Sequence, residues 1–323
     1  MAIFSSFSCE GVTQDNKLDI YLDFSAIWTS HQELVYGYVG VNYQRFYFLI
    51  DSIKIDEKDT LIYDVWGKYR IKDQISNYIG KIHVRENFTM LSKKYQVDEE
   101  VLPQNGTQVY SVISEWNLKT IGTNEQIKGK MTSTFILQNN KVVFDDIGLG
   151  WNDPYRNNQF VGEFNSNKYG RQKCRWGTCR IPDSDDLDIG SAEFSPDEKY
   201  LNYGWQSYWN AFMEGTEEGW KTEELTRWTL HPDTLQLKFP AIINDPDGYV
   251  NIRKEPNVKS EIVAKIKLNE LFFYTLMPKT DWYPVYYDDD GPCIGYIHKS
   301  RIKTFEDFPK WLQEKVRIMR DGC

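Results

Sequence analysis

From Leu18 to Ile181 the chain repeats one local pattern. Short runs rich in β-branched and aromatic residues are each closed by Gly, Asn, Asp or a charged turn. In the first run Leu18, Ile20, Leu22 and Phe24 alternate with Asp19, Tyr21 and Asp23. That is the period of a half-buried strand. Similar runs follow at 35–41, 45–50, 61–66, 78–84, 108–116, 130–137, 141–145, 158–164 and 172–181. About ten strands with almost no helical periodicity predict one antiparallel sheet system. A meander of this length closes into a barrel or folds into a two-sheet sandwich, because closure removes exposed edges. An up-and-down barrel is the first expectation. Gly37, Gly67, Gly80, Gly129 and Gly162 fall in or beside these runs and predict bulges or bends.

Composition agrees with a sheet-rich chain of about two domains: 323 residues, 41% hydrophobic, with 21 Tyr and 11 Trp. The formal charge of −9 is uneven. Residues 240–323 carry 13 residues of each sign, so the whole excess lies on residues 1–239. An acidic body without a basic face argues against nucleic acid, whose binding depends on neutralising phosphates. Net acidity also simply favours solubility. No apolar run reaches the roughly 18 residues of a membrane helix.

Residues 183–201 read as an acidic, solvated loop. After it Trp205, Tyr208, Trp209 and Phe212 fall at i, i+3, i+4 and i+7, which predicts a one-sided helix over 203–214 ended by Gly215. A strand or short helix is expected over 223–230, followed by a turn at His231-Pro232-Asp233. The expected boundary falls at 234–242, giving a large domain over 12–234. Phe308, Trp311, Leu312, Val316 and Met319 form a helical stripe in the last segment, 304–323.

Between the boundary and that helix, residues 243–303 contain Asp247-Gly248-Tyr249-Val250-Asn251-Ile252-Arg253, then Trp282-Tyr283-Pro284-Val285, then Gly295-Tyr296-Ile297-His298. Each run is bounded by residues that supply turns. This order resembles the bacterial SH3-type domain over about 240–303. The resemblance implies a small SH3-like barrel whose aromatic groove takes a peptide. The whole chain is therefore expected to be dominated by β structure: a large barrel or sandwich with one helix, a small SH3-like barrel, and a C-terminal helix. Within the large domain, Asn42-Tyr43-Gln44-Arg45-Phe46-Tyr47 and Asn157-Asn158-Gln159-Phe160-Val161-Gly162 resemble runs in uncharacterised barrel-like proteins of Bacteroidetes. That resemblance implies no activity.

A Cys–His pair needs a thiol beside an oriented imidazole. Cys9, Cys174 and Cys179 with His31, His83 and His231 show no nucleophile motif. Four isolated His offer no zinc spacing, and nothing calls for a cofactor. Cys174 and Cys179 flank Arg175-Trp176-Gly177-Thr178, where a hairpin turn would let them bridge; two free buried thiols are the alternative. Asp183, Asp185, Asp186 and Asp188 miss the calcium-loop pattern, since Leu187 occupies its fifth position. Carboxylates from any two strands can serve a glycosidase. Trp28, Tyr36, Tyr38, Tyr43, Phe46, Phe48, Trp66, Trp116 and Phe135 are numerous enough to fill the large interior.

The expected class is a non-catalytic binding protein that recognises a peptide, a peptidoglycan fragment or a protein partner. Its binding residues would be Tyr249, Arg253, Tyr286 and Tyr296, with Trp282 in the core. The alternatives are a cell-wall hydrolase using carboxylates of the large domain, or a carrier holding a small ligand in its barrel. Read from Met1, the N-terminus lacks a signal peptide and implies the cytoplasm. A start further upstream would make Cys9 a lipidated first residue and place the protein in the cell envelope.

Overall fold

The computed structural model describes residues 22–85, 88–91, 108–145, 155–191, 193–230, 238–277, 280–288 and 291–321. The chain divides into two compact units between Trp205 and Gln206.

The first unit is a closed antiparallel barrel of eight strands. In chain order the strands are β1 (Val35–Val39), β2 (Gln44–Ile55), β3 (Ile62–Ile71), β4 (Gln74–Val84), β5 (Thr89–Met90), β6 (Gln108–Thr120), β7 (Gln126–Gln138), β8 (Lys141–Phe144), β9 (Asn157–Ser166) and β10 (Gly170–Thr178). The ring runs β1-β2-β3-β4-β6-β7-β9-β10, with β5 and β8 as short additions on β6 and β7. It closes where β1 meets β10, from Val35 opposite Thr178 to Val39 opposite Cys174. Up-and-down closure is thus the architecture found, and the sandwich is not.

Two expectations change. Leu22 and Phe24 are buried around exposed Asp23, so the alternation is real, but they pair with no strand. They lead into a short helix, α1 (Ser25–Thr29), which inserts Ile27 and Trp28 into one end of the barrel. The Phe24 amide donates to the Tyr63 hydroxyl, 2.9 Å away, and anchors this plug. Residues 18–21 lie outside the described residues. Second, Arg175-Trp176-Gly177-Thr178 forms the last four residues of β10, not a turn. Cys174 and Cys179 therefore lie along one strand direction, and both are free thiols.

Aromatic rings fill the interior. Phe48 stacks on Trp176 at 4.4 Å between centroids, and Trp176 stacks on Phe160 at 3.5 Å. Trp28 meets Tyr63 and Trp116 edge-on. Room for these rings comes from Gly67, Gly80, Gly129 and Gly162, which alternate with core residues on inward-facing positions. Gly129 and Gly162 face each other in register, and a Cβ on Gly129 would lie 2.5 Å from the Phe160 ring. Pairing small with large inward residues is how a narrow barrel is filled without voids. Of the nine aromatics expected inside, Trp66 instead faces outward at 41% exposure, and Tyr36, Tyr38 and Tyr43 pack outside the wall. Alternation along β1 and β3 sets Tyr36, Tyr38 and Trp66 on the other face, and Tyr43 lies in the turn between β1 and β2.

The acidic segment is solvated in part: Asp183, Asp185 and Asp186 are exposed, whereas the Asp188 carboxylate is buried, pairs with Arg180 at 2.7 Å and accepts from the Gly190 and Ser195 amides. Asp183 pairs with Arg175, Asp185 accepts from the Tyr43 hydroxyl, and Asp186 binds Lys199 and Tyr200. The segment is thus strapped along β10 and β1.

In the second unit the predicted 203–214 helix is interrupted. Trp205 stays with the barrel, donating its indole N–H to the Tyr43 carbonyl. Gly204, at φ 97°, turns the chain. Helix α2 (Gln206–Tyr208) then runs into a π-helical turn, Trp209–Met213, and α3 covers Glu217–Leu230. The boundary lies before these helices because they pack with the small sheet. Glu217 accepts from the Tyr274 hydroxyl and the Phe305 amide and pairs with Lys221. The turn expected at His231-Pro232-Asp233 lies outside the described residues. The sheet is antiparallel and seven-stranded: β11 (Phe239–Ile243), β12 (Tyr249–Arg253), β13 (Ile262–Lys267), β14 (Phe272–Tyr274), β15 (Trp282–Tyr286), β16 (Gly295–His298) and β17 (Ile302–Lys303). Their order is β13-β12-β16-β15-β14-β11-β17. Helix α4 (Lys310–Asp321) closes the chain. Phe308, Leu312 and Val316 pack on Ile242, while Trp311 is 58% exposed and leaves the expected stripe.

The glycine positions carry a stability prediction. Gly162→Ala would place a methyl group against the Lys128 carbonyl and the Phe160 ring. Neither can move without disturbing the barrel, so the variant should lose about 2 kcal/mol or more in urea unfolding. Val161→Ala, at a 41% exposed outward position, should lose well under about 1 kcal/mol. Equal losses would contradict the packing described.

Candidate functional site

The two ends of the barrel differ. Helix α1 plugs one. At the other, the hairpin turns β1–β2, β3–β4, β6–β7 and β9–β10 surround an open cup of about 500 Å³. This is within the range of small-molecule sites. Val39, Tyr69 and Phe164 form its floor, and they are also the last layer of the filled interior. The Tyr69 and Phe164 rings meet edge-on at 5.8 Å. Ile71 adds apolar wall. Gln44 and Tyr203 line one side, joined by an amide-to-carbonyl hydrogen bond of 2.7 Å. Gln172, Gln74 and Ser76 add polar wall, and Lys72, Asp73, Lys168 and Tyr169 stand at the rim.

The polar centre of the cup is Glu125, which is half-buried at the start of β7. The Tyr69 hydroxyl donates to its Oε2 at 3.0 Å, and the Thr123 hydroxyl donates at 3.4 Å. The Tyr69 and Thr120 hydroxyls share a further hydrogen bond of 2.8 Å. Burial pushes the Tyr69 phenol up to about 12, helped by the neighbouring Glu125 charge and opposed by hydrogen bonds from Thr120 and Ser76. At neutral pH the floor therefore presents a protonated phenol beside Glu125.

The four residues expected to bind ligand lie in the second unit. Tyr249 and Arg253 alternate with buried Val250 and Ile252 on β12, so they share the outer face. Tyr296 is opposite Arg253 and also opposite Pro284, two residues from Tyr286. Register thus places all four on one outer face. Lys265 lies 4.5 Å over the Tyr249 ring, and Lys238 lies 4.4 Å over Tyr286. Trp282 belongs to this face too. It is half-buried and packs edge-on against His298 at 5.4 Å, so its expected place in the core is corrected. Tyr283 points inward instead, stacked on Tyr274. The strand phase, not ring size, decides between them.

Burial pushes the Cys174 thiol far up and the Cys179 thiol up to about 11, so neither offers a thiolate at neutral pH. Cys9, Cys323 and His231 lie outside the described residues. Among the described residues no group of three or more His, Cys, Asp and Glu could hold a metal ion. No helix among them is long and apolar enough to cross a membrane. Comparison with protein-family models, with curated proteins and with solved structures returns no match.

The Tyr69 environment predicts an alkaline dependence. In the unfolded chain a phenol ionises near pH 10, whereas in the fold Tyr69 holds its proton to about 12. The raised folded value favours the fold below pH 10, and that contribution is lost as pH rises from 10 towards 12. Tyr69→Phe removes this titration. Between pH 8 and pH 11 the wild type should lose more unfolding free energy than the variant. Equal losses would show that the phenol titrates normally.

Proposed function

We propose that this is a non-catalytic binding protein whose barrel holds a small amphipathic molecule in its open mouth. The observation that supports this most is the contrast between the two ends. One end is sealed by Phe24, Ile27 and Trp28, and the interior is packed with rings. The recess at the other end combines an apolar floor with a few convergent polar groups, the composition of a small-molecule site. A closed eight-stranded barrel has room for side chains and at most a modest ligand.

A second reading is supported by the small unit. Tyr249, Arg253, Tyr286 and Tyr296 share one aromatic, cation-bearing outer face with Trp282. On this reading, and on the resemblance to SH3-type domains, the face takes a peptide, a peptidoglycan fragment or a protein partner. Flat rings bury area there at low entropy cost.

The primary reading is tested by an NMR fragment screen on the full chain. Hits should shift the resonances of Val39, Tyr69 and Phe164. Ser76→Trp should fill the cup and remove those shifts while keeping the melting temperature within a few degrees. Hits that spare these residues, or that bind the folded Ser76→Trp protein unchanged, would refute the reading.

A further inference from the structure

The charge pattern of the cup specifies its occupant, on the reading that the cup is a binding site. Glu125 uses only Oε2 within the protein, through the Tyr69 and Thr123 hydroxyls. Among the described residues its Oε1 has no hydrogen-bond donor, and no cation pairs with the carboxylate. That oxygen is left open to a further donor from within the cup. The other charged groups of the lining do not supply it. Lys72 and Lys168 are exposed in hairpin turns; the Lys168 ammonium sits over the Tyr169 ring, 4.8 Å from its centre. Asp73, beside them, approaches Arg70 at 3.7 Å. The rim therefore carries mixed charge, while the wall next to the buried floor carries the single negative charge of Glu125.

We infer that the cup takes a small cationic amphiphile, with its ammonium group on Glu125 Oε1 and its apolar body on Val39, Tyr69, Ile71 and Phe164. Three features of the geometry converge on that class. A carboxylate beside a protonated phenol accepts a charge-assisted hydrogen bond from an ammonium. The Tyr69 and Phe164 rings present π surface that attracts a cation and apolar area that holds its body. An anionic head would meet Glu125, and a neutral head would leave that charge uncompensated.

The test compares three probes of one shape and different charge on the full-length protein by calorimetric or NMR titration: 2-phenylethylamine, 2-phenylethanol and 3-phenylpropionate. The amine should bind about tenfold more tightly than the alcohol, the difference a hydrogen bond to a charged group makes. The carboxylate should bind most weakly. Glu125→Gln should remove the advantage of the amine and leave the alcohol within about twofold. If that variant fails to fold, the ranking in the wild type decides alone. Equal binding of all three, or preference for the anion, would overturn the cation assignment and leave the cup a binding site. Binding of none would overturn the assignment and weigh against the cup itself.

Discussion

Phe160 lies over a pair of facing glycines, Gly129 and Gly162, and stacks on Trp176, which stacks in turn on Phe48. This column spans the barrel from β9 through β10 to β2. Each buried ring contributes on the order of 2–3 kcal/mol by leaving water. The rings fit only because inward positions beside them carry no side chain. The same fit draws β10 against β1, so ring packing and closure support each other. A larger residue at either glycine would push apart strands that share backbone hydrogen bonds.

What the protein offers to a ligand follows from that filling. With the interior occupied and one end plugged by α1, the mouth where four hairpins meet is left as an open cup. The walls there are short turns, and Gln44 is held to Tyr203 by a hydrogen bond. The 183–201 segment supports the outside of the same seam. Its buried Asp188–Arg180 pair and the Asp183–Arg175 pair tie it along β10, next to the closing contact with β1. Removing one partner of a buried pair leaves a charge uncompensated, which is costly. The strap therefore contributes to the structural support of the barrel.

The strands were legible because alternation of apolar and polar residues reports a sheet with one wet face. Nine of the expected runs fall on observed strands, and β2, β3, β4, β6, β7 and β9 extend further into the hairpins. The tenth, at Leu18–Phe24, shows the limit of that signal. Alternating burial at Leu22 and Phe24 is equally satisfied by an extended plug with no partner strand. The solvated side of the acidic segment was legible, with Asp183, Asp185 and Asp186 exposed; its ties to Arg175 and Tyr43 were not, because those partners reach it only in three dimensions. Trp282 was misplaced because ring size suggested burial, whereas its phase relative to Val285 puts it outside. The cup was not legible at all. Glu125 sits in an ordinary turn, Thr123-Asn124-Glu125, and Tyr69 lies 56 residues away; only strand register brings them within 3.0 Å.

The central claim is that β1 and β10 seal the barrel around a packed interior. Amide hydrogen exchange on residues Val35–Val39 and Cys174–Thr178 tests it most directly. In a sealed barrel these amides lie in interior strands and should exchange as slowly as those of β6 and β7, through global unfolding. If they exchange orders of magnitude faster than β6 and β7, as unpaired edges would, the barrel is open at that seam and the account fails.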